Sequence, residues 1–175
     1  MAVGLLDDVL LELRRHKELA DKALAGLDDE AFFHGPAGHV NPIALIVKHL
    51  AGNLVSRWTD FLTTDGDKPN RDRDAEFVLT AVDTRGSLMA AWDRGWMAIL
   101  DTVQGLTPAD LTREITIRGE KHTVQQALLR GLDHAAYHVG QILYLARLFA
   151  PDSPWLTIAP GQSKRYRPEY LKTGK

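Results

Sequence analysis

The sequence contains no cysteine among its 175 residues. This absence excludes disulfide bonds, thiolate metal sites and a cysteine nucleophile. Seven histidines and 23 acidic residues remain as the side chains best suited to hold a metal ion. Any metal site in this protein must therefore be built from nitrogen and oxygen ligands.

The sequence also lacks an excess of charge of one sign and a long apolar run. It carries 21 Lys and Arg against 23 Asp and Glu, a net charge of −2, which supplies no broad field for attracting nucleic acid or an anionic membrane. No run approaches the roughly 18 apolar residues of a membrane span. Asp7 and Asp8 stand where a secretory signal would be basic. We therefore expect a cytoplasmic protein that binds neither nucleic acid nor a membrane.

Apolar residues at intervals of three and four predict four long amphipathic helices. We expect them from Leu5 to about Leu27, from Pro42 to about Thr64, from about Asp74 to Val103, and from Val124 to Phe149. Asn41 is the expected N-cap of the second helix, because asparagine is favoured there and proline is tolerated in the first turn. The stretch 28–42, which holds His34 and His39, is expected to be a loop. The sequence thus predicts an all-α fold.

A short β pattern separates the third and fourth predicted helices. Ile115 and Ile117 alternate with polar residues and are followed by Arg118 and a glycine, a pattern typical of a small hairpin. Thr123-x-x-Gln126 has the form of a capping box and is expected to begin the last helix. We therefore predict a small β-hairpin that covers one end of the helices.

The chain is rich in proline and glycine after residue 150. We predict one helical domain over 1–150 and a C-terminal extension over 151–175 that is packed on the helices or frays from them. The extension is basic and contains Tyr166 and Tyr170, so contact with an acidic partner is an alternative interpretation.

The last predicted helix carries His134 and His138, four residues apart. Because four residues is a little over one helical turn, both imidazoles project from the same face. This spacing can hold one divalent cation, with any third ligand supplied from elsewhere in the chain. Two histidines so spaced also occur as ordinary core or capping residues, and the spacing alone leaves both interpretations open.

Other polar residues could complete such a site. His49 lies near the rim of the buried face of the second predicted helix, a position that suits a ligand facing a cleft and a half-exposed histidine equally well. Gln141 lies one turn beyond His138 and could orient a water on the metal, although a solvated helix residue is the alternative. Asn53, Arg57 and Tyr137 are weaker candidates. The pattern assigns no carboxylate to the site.

Three blocks of the sequence together resemble a known superfamily. They are NPIALIVKHLAGNLVSRWTDFLTTDGDKPNRDRDAEF, ITIRGEKHTVQQAL, and DHAAYHVGQILYLA followed later by PGQS, spread from Asn41 to Ser163. In combination they resemble the DinB-like (YfiT-like) superfamily of metalloenzymes, and more closely an uncharacterised branch of it. The resemblance implies a DinB-like four-helix bundle of up-down-down-up type with a small hairpin before the last helix, often as a homodimer.

The resemblance also implies that His49, His134 and His138 bind one divalent metal ion, which could be Zn, Ni, Mn or Fe. Relatives in the superfamily include thiol-dependent enzymes, so we expect a metal-dependent hydrolase or a small-thiol-dependent transferase acting on a small molecule, with Gln141 as the candidate catalytic residue. A non-catalytic metal-binding or dimerisation module, related to stress, is the alternative function. A helical scaffold without metal is the third.

Overall fold

The computed structural model describes residues 4–36 and 40–164, and these residues are mostly helical. The α-helices are α1 (Leu5–Ala25), α2 (Asp29–Phe33), α3 (Ile43–Trp58), α4 (Arg85–Gly105) and α5 (Val124–Phe149). Short 3-10 helices span Asp74–Phe77 and Pro108–Thr112, and an antiparallel hairpin of β1 (Glu114–Ile117) and β2 (Glu120–Thr123) precedes α5. A mostly helical fold with a hairpin before the last helix is thus confirmed. None of the described helices combines the length and apolarity needed to cross a membrane.

The four long helices bury their apolar faces against one another. α3 packs along α4 and α1 packs along α5, while α1 also contacts α4 and α3 contacts α5. Trp58, Trp92 and Trp96 are enclosed in the resulting core. Gly95 marks a close approach of α4 to α3, because a Cβ at this position would lie 3.0 Å from the carbonyl oxygen of Ala51. A larger residue there would force the two helices apart.

The predicted hairpin and the start of α5 are confirmed. The Thr123 hydroxyl accepts from the backbone N–H of Gln126 at 3.1 Å, and the Gln126 side chain accepts from the backbone N–H of Thr123 at 2.9 Å. Arg118 and Gly119 form the hairpin turn with φ of 57° and 75°, the left-handed conformations that a tight two-residue turn requires. The Asp65 carboxylate accepts both of their backbone N–H groups at 2.8 and 2.9 Å, which stabilises a non-glycine residue in this conformation.

The third predicted helix corresponds to α4, which begins at Arg85, so the predicted start near Asp74 is wrong. Thr84 caps α4 by accepting from the backbone N–H of Ser87 at 3.1 Å. Just before it, the Asp83 carboxylate accepts from the backbone N–H of Thr80 and from the ammonium group of Lys48. These competing hydrogen bonds favour a turn over a helix.

The predicted bounds of the second helix and the loop before it also need correction. The 28–42 stretch contains α2, because the Asp28 carboxylate caps it by accepting from the backbone N–H of Ala31 at 2.8 Å. Pro42, not Asn41, is the N-cap of α3. α3 ends at Trp58 because Thr59 is extended, with ψ of 130°, and Asp60, with φ of 49°, is left-handed, so the helix cannot continue through them.

The described part of the C-terminal extension contacts the last turn of α5. Arg147 donates to the carbonyl oxygens of Pro151 and Ser153 at 2.9 and 2.6 Å, and its guanidinium lies 4.6 Å from the ring centre of Trp155. Tyr166 and Tyr170 lie outside the described residues, as does His39. The division into 1–150 and 151–175 stays a prediction.

Candidate metal centre

Helices α3 and α5 bring three histidines together. One ring nitrogen from each of His49, His134 and His138 lies within 4.8 Å of the other two. The ring centres of His134 and His138 are 4.7 Å apart, and that of His49 lies 5.6 and 5.0 Å from them. The sequence spacing predicted the pair on α5, and the structure shows that the histidine of α3 joins it. The other described histidines lie outside this cluster.

Two of the three rings are held by a hydrogen bond at Nδ1. The Nδ1–H of His49 donates to Glu76 Oε2 at 2.8 Å, and the Nδ1–H of His138 donates to Gln141 Oε1 at 2.9 Å. A proton on Nδ1 leaves Nε2 with its lone pair free. A partner of this kind fixes the tautomer and the ring orientation of metal-binding histidines. His49 and His138 are thus prepared to bind an ion through Nε2.

Buried ring nitrogens in the cluster also lack a partner. His134 Nδ1 and His138 Nε2 are enclosed and form no hydrogen bond with any described residue. Buried polar atoms in folded proteins are nearly always satisfied, and an isolated pair of unsatisfied imidazole nitrogens would cost stability. Buried nitrogens of His16 and His122 also lack a partner, but neither residue belongs to the cluster. A cation shared by the three neighbouring rings would satisfy both cluster atoms, so these side chains fit a metal ion.

Glu76 is the residue that sequence reasoning missed. It lies on the Asp74–Phe77 turn, is only 7 % exposed, and receives two hydrogen bonds of 2.8 Å from the guanidinium of Arg71 in addition to the bond from His49. The sequence predicted that a helix starts near Asp74, and this prediction did not place the Glu76 side chain against His49. The one available signal was that the first resemblance block continues through Phe77.

Gly52 leaves the space that the Glu76 carboxylate fills. Gly52 is on α3, one turn after His49, and a Cβ built at this position would overlap Glu76 Oε1 and lie 2.9 Å from its Cδ. The carboxylate therefore packs directly on the α3 backbone. His49 itself is only 5 % exposed, deeper than the predicted rim position, because the Phe77 ring covers it at 4.7 Å between ring centres.

The protonation states suit metal binding. Burial, followed by the nearby charges of His138 and His49, lowers the pKa of His134 to about 3. Burial, followed by His49 and opposed by the hydrogen bond to Gln141, lowers the pKa of His138 to about 4. Burial would raise the pKa of Glu76, but hydrogen bonds from His49 and Arg71 outweigh it and lower that pKa. Near neutral pH these two imidazoles are uncharged and Glu76 is ionised.

We expect the metal-free protein to lose stability as the pH falls from about 6.5 toward 4. In the unfolded chain both histidines take up protons near their ordinary pKa of 6.5. In the folded chain the pKa of His138 is about 4 and that of His134 about 3, so both stay neutral over most of this interval. The unfolded state binds more protons in this interval, so the free energy of unfolding decreases with falling pH. Urea unfolding at pH 7 and pH 5 measures this.

The matched variants for that measurement are His134→Gln and His34→Gln. The first removes one titrating group from the cluster, so the pH dependence should become smaller. The second removes an exposed histidine outside the cluster and should keep the wild-type dependence. The same pH dependence in all three proteins would contradict the argument.

The histidine cluster lies between two cavities of different chemistry. The apolar cavity, of about 420 Å³, touches His49 and His138. Its other walls include Val40, Ile46, Phe77, Tyr144, Leu145 and Leu148. A polar cavity of about 150 Å³ touches His49 and His134, and Asn53, Arg57 and Tyr137 line it. The three weaker sequence candidates thus lie next to the cluster, while Gln141 lines the apolar cavity.

Comparison with known proteins assigns the chain to a family. A family model described as "Protein of unknown function (DUF1572)" matches residues 1–162. The chain belongs to the DUF1572 family. This match includes all three clustered histidines, Glu76 and Gln141, so the whole candidate centre lies within the DUF1572 region. No curated protein and no solved structure matches the chain.

Proposed function

We propose that this DUF1572 protein is a divalent-metal-dependent enzyme with a three-histidine site. The observation that carries the proposal is the convergence of His49, His134 and His138 within 4.8 Å, with Glu76 and Gln141 bonded to two of their Nδ1 atoms. A histidine with a purely structural role does not need ring nitrogens of two other histidines this close to its own. Three imidazole nitrogens suit Zn, Ni, Mn or Fe.

The protein ligand count supports catalysis over a purely structural site. Structural zinc sites are usually closed by four protein ligands, whereas catalytic sites keep a position open. No fourth histidine or acidic ligand joins the cluster among the described residues. A divalent cation in such a site lowers the pKa of a water or thiol that binds it, which makes a nucleophile available near neutral pH. We therefore propose a hydrolase or a small-thiol-dependent transferase.

In this proposal the chain's own residues position the metal-binding histidines and shape the space for the substrate. Glu76, itself held by Arg71, fixes the His49 ring, and Gln141 fixes the His138 ring. The apolar cavity beside His138 offers space for the apolar part of a small-molecule substrate. Gln141 lines this cavity, so we retain it as the candidate catalytic residue, with orientation of His138 as its supported contribution.

We further propose that the family is a branch of the DinB-like superfamily and that its helices form a four-helix bundle. Two observations support this. Each of the four long helices packs against two of the others. The histidines stand at the positions of the K-H-L and D-H-A-A-Y-H motifs, on α3 and α5.

A homodimer is the partner arrangement that we propose. Leu129, Tyr137, Tyr144 and Leu148 are large apolar residues on one side of α5, and each is between 48 % and 73 % exposed. Such a run on one face of a helix is typical of an interface. Light scattering of the purified protein tests this, and a monomer at all concentrations would overturn it.

An activity screen tests the proposed enzyme. Protein loaded separately with each of the four metals would be assayed with chromogenic esters and amides, and with small thiols plus a chromogenic electrophile. We expect turnover with at least one metal that disappears after chelation and in His138→Ala but persists in His34→Ala. Activity that survives loss of the ligands would rule out metal catalysis. Bound metal without turnover would favour the non-catalytic module.

A further inference from the structure

The polar cavity beside the histidine cluster is unusually rich in arginine. Five guanidinium groups line it, and no aspartate or glutamate does. We call it the arginine pocket, and its arginines are Arg57, Arg71, Arg73, Arg118 and Arg130. Its volume of about 150 Å³ is below the roughly 300 Å³ at which pockets hold a whole drug-sized ligand. The arginine pocket therefore suits one charged group of a molecule.

Three of these arginines have carboxylate partners outside the pocket wall. Arg71 binds Glu76, Arg118 donates to Asp67 at 3.0 Å, and Arg73 lies 3.8 Å from Asp74. Hydrogen bonds to these carboxylates orient the guanidinium groups of Arg71 and Arg118, whereas the Arg73–Asp74 pair is exposed. Since each carboxylate neutralises at most one positive charge, the two remaining arginines decide the charge of the pocket.

Arg57 and Arg130 form no ion pair with any described residue. Arg57 is only 9 % exposed, and its Nε is buried without a hydrogen-bond partner among the described residues. Burial, and then the charges of Arg130, Arg71 and Arg118, outweigh the opposing charge of Asp67 and lower the pKa of Arg57 to about 10. Arg57 remains charged at neutral pH, and it is enclosed among three other arginines with only the weaker effect of the Asp67 charge to offset them.

A buried, unpaired guanidinium among like charges is costly. Such an arrangement is retained at sites where a ligand supplies the missing negative charge, because planar guanidinium groups match the oxygens of carboxylate and phosphate. A solvated arginine needs neither burial nor four neighbouring arginines.

We propose that the arginine pocket binds an oxyanion, the carboxylate or phosphate group of the substrate. The pocket shares His49 and His134 with the metal centre, while the apolar cavity shares His49 and His138. The substrate is then oriented with its anionic end toward His134 and its apolar part toward His138. This substrate class rests on the proposed function, but binding of the anion itself does not require bound metal.

Calorimetric titration of metal-free protein with inorganic phosphate, and separately with malonate, tests the proposal at low salt. We expect saturable binding of at least one of the two anions. Arg57→Gln and Arg130→Gln should each weaken it about tenfold or more, since a hydrogen bond to a charged group contributes roughly 1.5–3 kcal/mol. Arg15→Gln is the matched control, an exposed arginine on α1, and should bind as wild type does. The anion that binds with the higher affinity shows whether the pocket prefers phosphate or carboxylate.

Two further readouts separate a binding role from a structural one. Arg57→Gln should be at least as stable as wild type without anion, because it removes an uncompensated buried charge. Both pocket variants should still bind one metal ion per chain. Failure of the anion proposal is thus distinct from failure of the metal site.

The proposal is overturned if neither anion binds saturably to the metal-free protein or to the metal-loaded protein. It is also overturned if an anion binds only to metal-loaded protein and equally well in both pocket variants, since the anion would then be bound by the metal alone. A marked loss of stability in Arg57→Gln, with unchanged anion affinity in Arg130→Gln, would assign the arginines a structural role and overturn it as well.

Discussion

Substituting alanine for His49, His134 or His138 is expected to lower the affinity for a divalent cation by more than about 100-fold. Loss of an outer hydrogen-bond partner of a ligand typically costs roughly 10- to 100-fold, and loss of one of three direct ligands should cost more. Wild-type protein, loaded and then dialysed, should retain about one ion per chain. Each variant should retain none under the same conditions.

Elemental analysis of protein prepared without a histidine tag, followed by competition titration with a chelator, provides the measurement. His34→Ala is the matched control because this exposed histidine lies outside the cluster. Circular dichroism shows whether each variant remains folded. If the loaded wild-type protein held no ion, the proposed enzyme and the alternative metal-binding module would both be excluded. A helical scaffold would remain.

Local patterns in the sequence predicted part of the fold and part of the site. The spacing of His134 and His138 and the capping box at Thr123 both depend on residues within one or two helical turns. Such relationships hold wherever the helix forms, and the structure confirms both arrangements. The resemblance, not the periodicity, singled out His49 on a distant helix.

The remainder of the site depends on contacts between residues far apart in the chain. Glu76 lies 27 positions from His49 on a turn that helical periodicity misassigned as the start of a helix. The five arginines of the arginine pocket come from α3, α5, the hairpin turn and the segment before α4. No repeat spacing connects them, so only the packing of these elements shows that their charges converge.

Removing the Glu76 carboxylate is expected to lower metal affinity by about 10- to 100-fold, the usual cost of losing the partner of a ligating histidine. Glu76→Gln is the informative change because it keeps the size of the side chain. It removes the negative charge that favours the Nδ1–H form of His49, and it exchanges a strong acceptor for an amide. Competition titration would measure the affinity, and an unchanged value would show that Glu76 only pairs with Arg71.

Gly52→Ala tests the same contact without changing any polar group. The added Cβ must displace the Glu76 carboxylate, which cannot move without losing hydrogen bonds to His49 and Arg71. We therefore expect weaker metal binding although alanine favours the helix by roughly 1 kcal/mol. Gly140→Ala is the matched control, because a Cβ at this position of α5 meets nothing within 4 Å and should leave metal affinity unchanged. Equal affinities in the two alanine variants would mean that the position of Glu76 does not control the metal centre.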